Sequence, residues 1–237
     1  MTSSEILVFG AHPDDIEFGC GGIIASETLA GRKAHFVVCS LGEAGTNGTP
    51  EQRADESRNA AAILGATIEF IELDGDAHLE VRAAHSIRLA EIIRRVRPAK
   101  VLATTYMENQ HPDHSKLGHI VRDAARIARY GGMKELIEIN THAIEQLLFY
   151  AVTPEAVQRE ITPVLIDVSA PDVMSKWNAA MSAHGTQAAT RNYIELQLTR
   201  AKLLGAQAGV EYAIALYPND PLVFQSLAQT GKGARHF

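Results

Sequence analysis

Cysteine and long hydrophobic runs are both scarce in this chain of 237 residues. The two cysteines, Cys20 and Cys39, are too few for a disulfide framework, and we expect both to be buried apolar thiols. No apolar run approaches the roughly 20 residues that are needed to span a bilayer. The first five residues lack the basic and apolar regions of a signal peptide. These absences predict a cytoplasmic protein without a membrane partner.

Concentrated charge is also missing, because no block of like charge is long enough to form a tail. The net charge of −6 and the pI near 5.9 argue against a nucleic-acid partner or an anionic membrane surface. The hydrophobic content of 46% and the charged content of 21% are ordinary for a globular protein. Since the chain shows no repeat, low-complexity segment or linker, we expect a single domain over residues 1–237. Its part from about residue 170 onward is expected to be a helical and turn-rich extension.

Strand-like and helical patterns alternate along the chain. Short apolar runs predict strands at Ile6–Phe9, Ala34–Ser40, Thr67–Leu73, Lys100–Thr105, Gln146–Val152 and Pro163–Val168. Periodicity and capping signals predict helices at Gly22–Leu29, Glu51–Leu64, Val81–Val96, Leu117–Tyr130, Asp172–Ala183 and Arg191–Gln207, and a turn at Tyr217–Pro221. The alternation predicts an α/β protein with helices on both faces of a mainly parallel sheet. Right-handed crossovers would then place the loops that follow the strands along one edge.

Two groups of polar residues follow strands at this edge of the predicted sheet. They are His12, Asp14 and Asp15 after the first strand, and Gln110, His111, Asp113 and His114 after the fourth. Both groups contain the sequence His-Pro-Asp. About a hundred residues separate the groups in the chain, but their shared position at strand ends predicts that they meet in space.

Two imidazoles and one carboxylate are a common ligand set of open zinc sites, which keep one position for water. His12 and Asp15, three residues apart, can project to the same side of a tight turn, so that Asp14 between them would point elsewhere. A carboxylate beside the metal suits a general base. Either His111 or His114 completes the three ligands, and the other is free to polarise a carbonyl or donate to an oxyanion. The pattern predicts a zinc-dependent hydrolase of amide bonds.

Simpler interpretations exist for each group taken alone. Pro-Asp is a common helix start, so Asp14 or Asp113 could be a helix cap. The fold class also hosts dinucleotide-dependent oxidoreductases, but the first strand–helix turn lacks a Gly-x-Gly-x-x-Gly motif. A sugar-binding module without turnover would not need Asp14 beside a full ligand set. Because two His-Pro-Asp groups share one sheet edge, we favour the enzyme.

The sequence Ala11-His12-Pro13-Asp14-Asp15, followed by Gly19 and later by His111-Pro112-Asp113-His114, resembles the PIG-L/LmbE-like N-acetylglucosaminyl deacetylases. The resemblance implies a Rossmann-like, three-layer α/β/α fold and the zinc-dependent removal of an acetyl group from an amino-sugar conjugate. Carried over by position, it implies metal ligands at His12, Asp15 and His114, a general base at Asp14, and at His111 the group that stabilises the oxyanion or protonates the leaving amine. Asp113 would orient a histidine. Arg53 would face the substrate or, alternatively, be an exposed arginine at a helix start.

Among the branches of this family, the chain most resembles the enzymes that deacetylate N-acetylglucosaminyl-malate in bacillithiol biosynthesis. Its length, its loop at Gly45–Thr49 and its compact C-terminal region agree with that branch. Mycothiol precursors, chitin fragments and antibiotic sugars are the alternatives from related branches. The family also implies a homo-oligomer, a trimer or a hexamer. Elsewhere, the turn at His184 could close over the site, whereas Trp177, Tyr193 and Tyr212 are expected to pack in the core rather than to hold a sugar.

Overall fold

A computed structural model describes residues 6–108, 111–188 and 192–234, so that Gln110 and Arg191 of the predictions lie outside the described residues. The described strands are β1 Ile6–Gly10, β2 Ala34–Val38, β3 Thr67–Phe70, β4 Lys100–Thr104, β5 Gln146–Tyr150, β6 Val164–Asp167 and β7 Ala213–Pro218. The described α-helices are α1 Asp15–Leu29, α2 Pro50–Leu64, α3 Ala83–Val96, α4 Pro112–Ile127, α5 Pro171–Ser182, α6 Gly185–Ala188 and α7 Tyr193–Ala208. Within these ranges, no helix combines the length and the apolar character needed to cross a membrane.

The strands form one sheet in the order β3-β2-β1-β4-β5-β7-β6. The pairs from β3 to β5 are parallel, and β7 is antiparallel to both of its neighbours. Consecutive residues of β1 pack into different cores, because side chains alternate across a strand: Leu7 and Phe9 lie on the side of α3 and α4, and Ile6 and Val8 on the side of α1, α2 and α5. The predicted Rossmann-like α/β fold with a mainly parallel sheet is confirmed.

Strand β7 was not predicted. The residues Tyr217–Pro221 were expected to form a turn, but Tyr217 and Pro218 end a six-residue strand that lies between β5 and β6. Two of its residues, Ala213 and Ala215, have low strand propensity, so the segment gives a weak sequence signal. All but the last of its residues are buried, and its position is decided by pairing with β6. The C-terminal part of the chain is therefore more than helices and turns.

Helix starts at the sheet edge lie earlier than the apolar periodicity indicated. The helical pattern that follows the first strand starts at about Ile16 in the sequence, and α1 begins at Asp15; α4 begins at Pro112 rather than at Leu117. In α4, the side chain of His111 accepts a hydrogen bond from the backbone N–H of Asp113, and Pro112 occupies the first helical position. The functional motifs thus form the first turns of the helices. Their polar residues interrupt the apolar periodicity by which a helix is recognised in the sequence.

Gly118 allows α4 to pack directly on the end of β4. A Cβ atom at this position would lie 2.6 Å from the carbonyl oxygen of Thr104 and 2.7 Å from the backbone nitrogen of Tyr106. Such distances are too short for any side chain, and backbone atoms cannot move aside as a flexible side chain can. Because Gly118 has no side chain, α4 can pack closely against the end of β4. This contact positions the first turn of α4, which carries two histidines.

We expect Gly118→Ala to lower the free energy of unfolding by about 2 kcal/mol, because the added methyl group overpacks the contact between α4 and β4. Urea denaturation followed by circular dichroism measures the change. Gly132→Ala is the matched control, since a Cβ atom there meets nothing within 4 Å and should change stability by less than about 0.5 kcal/mol. Equal stability of the two variants would contradict the proposed close packing.

Candidate metal centre

The loop that follows β1 is built around the carboxylate of Asp15. Its Oδ2 accepts hydrogen bonds from the backbone N–H groups of Ala11 and His12, each at 2.9 Å. Its Oδ1 lies 3.0 Å from Nε2 of His114. Burial alone would raise the pKa of Asp15, but the charges of His114 and His12 lower it well below its usual range. Asp15 is therefore a buried anion that shapes the loop and also faces an imidazole from another strand.

The ring of His12 is held between carboxylates on its two sides. Its Nδ1 lies 3.5 Å from Oδ2 of Asp15, and its Nε2 lies 3.1 Å from Oδ1 of Asp76 and 3.4 Å from Oδ2 of Asp113. Burial by itself would lower the pKa of His12, but these carboxylates raise it well above the usual value. Because the two ring nitrogens face different partners, the orientation of this imidazole is fixed.

The start of α4 brings His111 and His114 to the same place. His111 caps the helix, and His114 is anchored one turn later, where Oγ1 of Thr104 donates to its carbonyl oxygen at 2.8 Å. The ring centroid of His12 lies 4.3 Å from that of His111 and 5.3 Å from that of His114. The structure thus joins the two His-Pro-Asp groups at the carboxyl ends of neighbouring strands β1 and β4.

These residues fit a divalent metal by the chemistry of their donor atoms. Two sets of described residues have candidate ligand atoms that all lie within 4.8 Å of one another: His12, His111 and His114, and His12, Asp76, His111 and Asp113. Asp15 belongs to neither set, although it contacts both His12 and His114. Nδ1 of His114 is buried and has no hydrogen-bond partner within the described ranges. Clustered imidazoles beside carboxylates are the donor set that zinc prefers.

Asp14 occupies a strained backbone position next to this cluster. Its φ of 104° lies in the left-handed region, which is unfavourable for a residue with a Cβ atom. It stands at the N-cap position of α1, yet its side chain makes no capping hydrogen bond, so the interpretation as a simple helix cap is wrong. Burial, together with the charge of Asp15, raises the pKa of Asp14 to about 6.

Arg53 lies directly behind Asp14. Its residue surface is only 6% exposed, so the alternative of an exposed arginine is wrong. Its guanidinium donates to the carbonyl oxygens of Gly42 at 2.7 Å and Pro13 at 3.2 Å, and Nη2 lies 3.5 Å from Oδ2 of Asp14. These contacts tie the loop after β2 to the loop after β1. A contact with substrate stays a prediction for this residue.

Asp76 is the site residue that the sequence did not reveal. It is 5% exposed and lies in the loop after β3, with its Oδ1 at 3.1 Å from His12 and 3.7 Å from His111. The signal that could have found it is the turn Asp74-Gly75-Asp76, which follows a strand at the same sheet edge and contains a glycine with φ of 91°. The geometry therefore adds Asp76 to Asp113 as a carboxylate that contacts His12.

His184 lies beneath the site and is almost completely covered. It is 1% exposed, and its Nε2 lies 3.5 Å from Oε2 of Glu17 on α1. The following residues bind the surrounding loops: the backbone N–H and hydroxyl of Thr186 donate to Glu56, and the side chain of Gln187 donates to the carbonyl oxygen of Asn47. The segment from His184 to Gln187 thus joins α1, α2 and the loop after β2, and its closure over the site stays a prediction.

Packing accounts for several other side chains. Trp177 is 1% exposed and donates from Nε1 to the carbonyl oxygen of Glu17. Tyr193 and Tyr212 pack against the core that contains α1. Cys20 and Cys39 are buried free thiols, as expected.

The fold and the site define an α/β protein with a candidate metal centre at the carboxyl ends of its parallel strands. A family model described as PIG-L, GlcNAc-PI de-N-acetylase, matches residues 7–125, about half of the chain. The chain belongs to this family, which confirms the resemblance seen in its motifs; the bacillithiol branch within it stays a prediction.

Curated relatives carry different activities in their names. A 4-oxalmesaconate hydratase of Pseudomonas putida is 32% identical over 140 residues, which cover 54% of this chain and 54% of that protein. The uncharacterized deacetylase YaiS of Escherichia coli is 40% identical over 115 residues, which cover 46% of this chain and 61% of that protein. A 1D-myo-inositol 2-acetamido-2-deoxy-alpha-D-glucopyranoside deacetylase 2 of Catenulispora acidiphila is 27% identical over 244 residues, which cover 77% of this chain and 79% of that protein. The match thus spans little more than half the length of the first two relatives.

The structural similarity extends over the whole fold. The crystal structure of the conserved protein TT1542 from Thermus thermophilus has a TM-score of 0.84 at 28% identity and covers 97% of this chain and 100% of that one.

We expect Asp14→Gly to be more stable than Asp14→Ala by about 1 kcal/mol, because glycine adopts the left-handed backbone of this residue without strain. Urea denaturation of the two variants in the presence of a chelator measures the difference without a contribution from bound metal. At Arg58, an exposed residue inside α2, the order should be reversed, since glycine weakens an ordinary helix. The same order at both positions would contradict the assignment of strain to Asp14.

We expect Asp76→Asn to weaken metal binding by 10- to 100-fold, because the loss of a charged partner of His12 lowers the basicity and fixed orientation of the ring. Competition with a chromophoric chelator measures the affinity. Asp74→Asn is the control in the same loop, since Asp74 contacts His85 and Arg82 instead of the site. An unchanged affinity in Asp76→Asn would show that this carboxylate serves only the loop.

Proposed function

We propose that this protein is a metal-dependent hydrolase that removes the N-acetyl group from an acetylated amino-sugar conjugate. One observation carries the proposal: the carboxylate of Asp14 makes no capping bond and lies within electrostatic range of His12 and Asp15, which form a cluster with His114. A metal-binding module would gain nothing from a strained aspartate at that position. Membership of the family, and the names of two relatives as deacetylases, support the same conclusion.

His12, Asp15 and His114 are the ligands that we favour. His111 belongs to both sets of candidate ligand atoms, but its side chain is 36% exposed and it caps a helix, whereas the side chains of His12 and His114 are 7% exposed. Nε2 of His12 contacts Asp76 and Asp113, whereas its Nδ1 faces Asp15. When bound, the metal supplies Lewis acidity, which lowers the pKa of a water molecule and polarises the acetamide carbonyl.

Asp14 and His111 then divide the proton chemistry. As water adds to the acetamide carbon, the Asp14 carboxylate accepts its proton, and Arg53 holds that carboxylate in place. Nδ1 of His111 accepts a hydrogen bond from the backbone N–H of Asp113, so the proton of the neutral ring lies on Nε2. Nε2 can then donate a hydrogen bond to the oxyanion. The C–N bond breaks, the amine takes the proton that Asp14 had accepted, and acetate leaves.

The substrate that we propose is N-acetylglucosaminyl-malate, on the basis of the chain length and the loop at Gly45–Thr49. Arg53 gives this choice little support, because its charge already faces Asp14. A glucosaminyl-inositol conjugate, as in the name of one relative, is the nearest alternative. A single domain over the whole chain, assembly as a trimer or hexamer, a cytoplasmic location and the absence of a nucleic-acid partner also remain predictions.

A hydratase is the second candidate, because one relative carries that name. Hydration adds a hydrogen atom and a hydroxyl group across a carbon–carbon double bond and also needs an activated water and a base. Hydration differs from deacetylation because it does not cleave the substrate into two products. Two assays separate the candidates. A deacetylase releases acetate and a primary amine from the sugar conjugate, whereas a hydratase removes the ultraviolet absorbance of an unsaturated tricarboxylate.

We expect Asp14→Asn and His111→Ala each to reduce turnover at least a hundredfold while the zinc content stays near one per chain, because neither residue is a proposed ligand. His114→Ala should instead lose the metal. Acetate release from N-acetylglucosamine conjugates of malate, inositol and a second sugar, run beside metal analysis by mass spectrometry, measures both properties. Chelation should abolish turnover of the wild-type protein, and zinc should restore it.

The stability of each variant is the control, since a misfolded protein would also be inactive. Full activity of Asp14→Asn would remove this residue from the mechanism. If zinc-loaded wild-type protein releases no acetate from any conjugate but hydrates an unsaturated tricarboxylate, the second candidate replaces the proposal.

A further inference from the structure

A cavity of about 470 Å³ lies where the sheet opens between β5 and β7. These two strands pair only through Leu148 with Pro218 and Phe149 with Tyr217, after which β7 pairs with β6. The strands diverge toward the carboxyl end of β5, and α7 covers the gap. The lining is mainly apolar and includes Trp177, Leu204 and several alanines of α7 and β7. Its volume lies within the range of small-molecule sites.

The charges that line this cavity are all positive. Arg159 and Arg200 line it, and no aspartate or glutamate of the described residues does. This composition is unusual for a chain that has 28 acidic and 22 basic residues. An apolar cavity whose charged groups are two arginines is complementary to an anion with an apolar body.

Among the residues that the structure describes, the guanidinium of Arg200 donates hydrogen bonds only to neutral acceptors. Its Nη1 donates to the carbonyl oxygen of Val152 at 2.8 Å and to Oε1 of Gln197 at 2.7 Å, and its Nη2 donates to the carbonyl oxygen of Ala151 at 3.2 Å. Burial lowers the pKa of Arg200, and Tyr217 of the lining and Glu155, which does not line the cavity, offset this effect in part. A largely buried cation without an anionic partner is costly, which a ligand carboxylate would relieve.

We propose that this cavity binds a small carboxylic acid with an aliphatic or aromatic body. Its carboxylate pairs with Arg200, with Arg159 at the rim, and its apolar part lies against Trp177 and Leu204. The site goes beyond the proposed function and does not depend on it, because no candidate metal-site residue lines the cavity. The two sites are neighbours, since Phe18 and Gly19 of the lining follow Asp15 by one turn of α1.

Trp177 offers a direct measurement, because it is the only tryptophan of the chain and lines the cavity. The probe is 8-bromooctanoate, whose bromine quenches a nearby indole. We expect saturable quenching by this carboxylate, with a dissociation constant at least tenfold lower than that of 8-bromooctan-1-ol or 8-bromooctylammonium. The measurement needs neither metal nor turnover, so its failure is distinguishable from a failure of the proposed hydrolase.

Two variants test the named contacts. Arg200→Gln should bind the carboxylate and the alcohol equally, and Val157→Phe, which narrows the cavity without touching either arginine, should weaken binding of both at least fivefold. Lys202→Gln removes an exposed charge from the same helix and should leave binding unchanged. If Arg200→Gln fails to fold by circular dichroism, the preference of the wild-type protein for the carboxylate and the effect of Val157→Phe still decide the question.

Three outcomes would overturn the proposal. Equal affinity for the three probes would mean that the cavity binds apolar chains without recognising charge. Unaltered quenching in Val157→Phe would place the probe elsewhere. No quenching at millimolar probe, with copies of the chain shown by sedimentation to associate through the exposed Leu203 beside the cavity, would make this face a contact between copies.

Discussion

The buried carboxylate of Asp15 is the interaction on which the site depends. One oxygen binds two successive backbone N–H groups of its own loop, and the other faces an imidazole that comes from a different strand. The negative charge of this side chain therefore strengthens the hydrogen bonds that shape the loop after β1. Because β1 and β4 are neighbours in the sheet, the same carboxylate that folds one loop also joins it to the next.

Four aspartates at this edge have different environments and hence different chemistry. Asp76 accepts a hydrogen bond from the backbone of Ala44, and Asp113 accepts one from Ala77. Burial would raise the pKa of both carboxyls, but His12 and His111, together with other donors, lower it. Asp14 makes no capping bond, and burial beside another anion raises its pKa. Environments that push the pKa values of neighbouring carboxyls apart allow one of them to accept a proton while the others stay ionised.

Local patterns of the sequence predicted the sheet, most of its helices and the meeting of the two His-Pro-Asp groups. The capping box of Thr49 and Gln52 and the left-handed Gly65 made both ends of α2 predictable, because such signals act within a few residues. The residues that escaped prediction depend on contacts distant in the chain. Asp76 contacts a histidine 64 positions away, and Arg53 is buried because the loops of Gly42 and Pro13 come to it. Strand β7 likewise exists through its pairing with β6 rather than through its own propensity.

The left-handed backbone at Asp14 has a consequence for how such proteins can change over generations. Glycine and asparagine are the residues that tolerate this conformation best, and both lack a carboxylate. A single exchange there would relieve the backbone strain and leave the proposed metal ligands in place, although it would remove the carboxylate that faces Arg53. One substitution at Asp14 would therefore convert the proposed catalyst into a protein that binds its ligand without turnover, and the backbone conformation at this position favours that substitution.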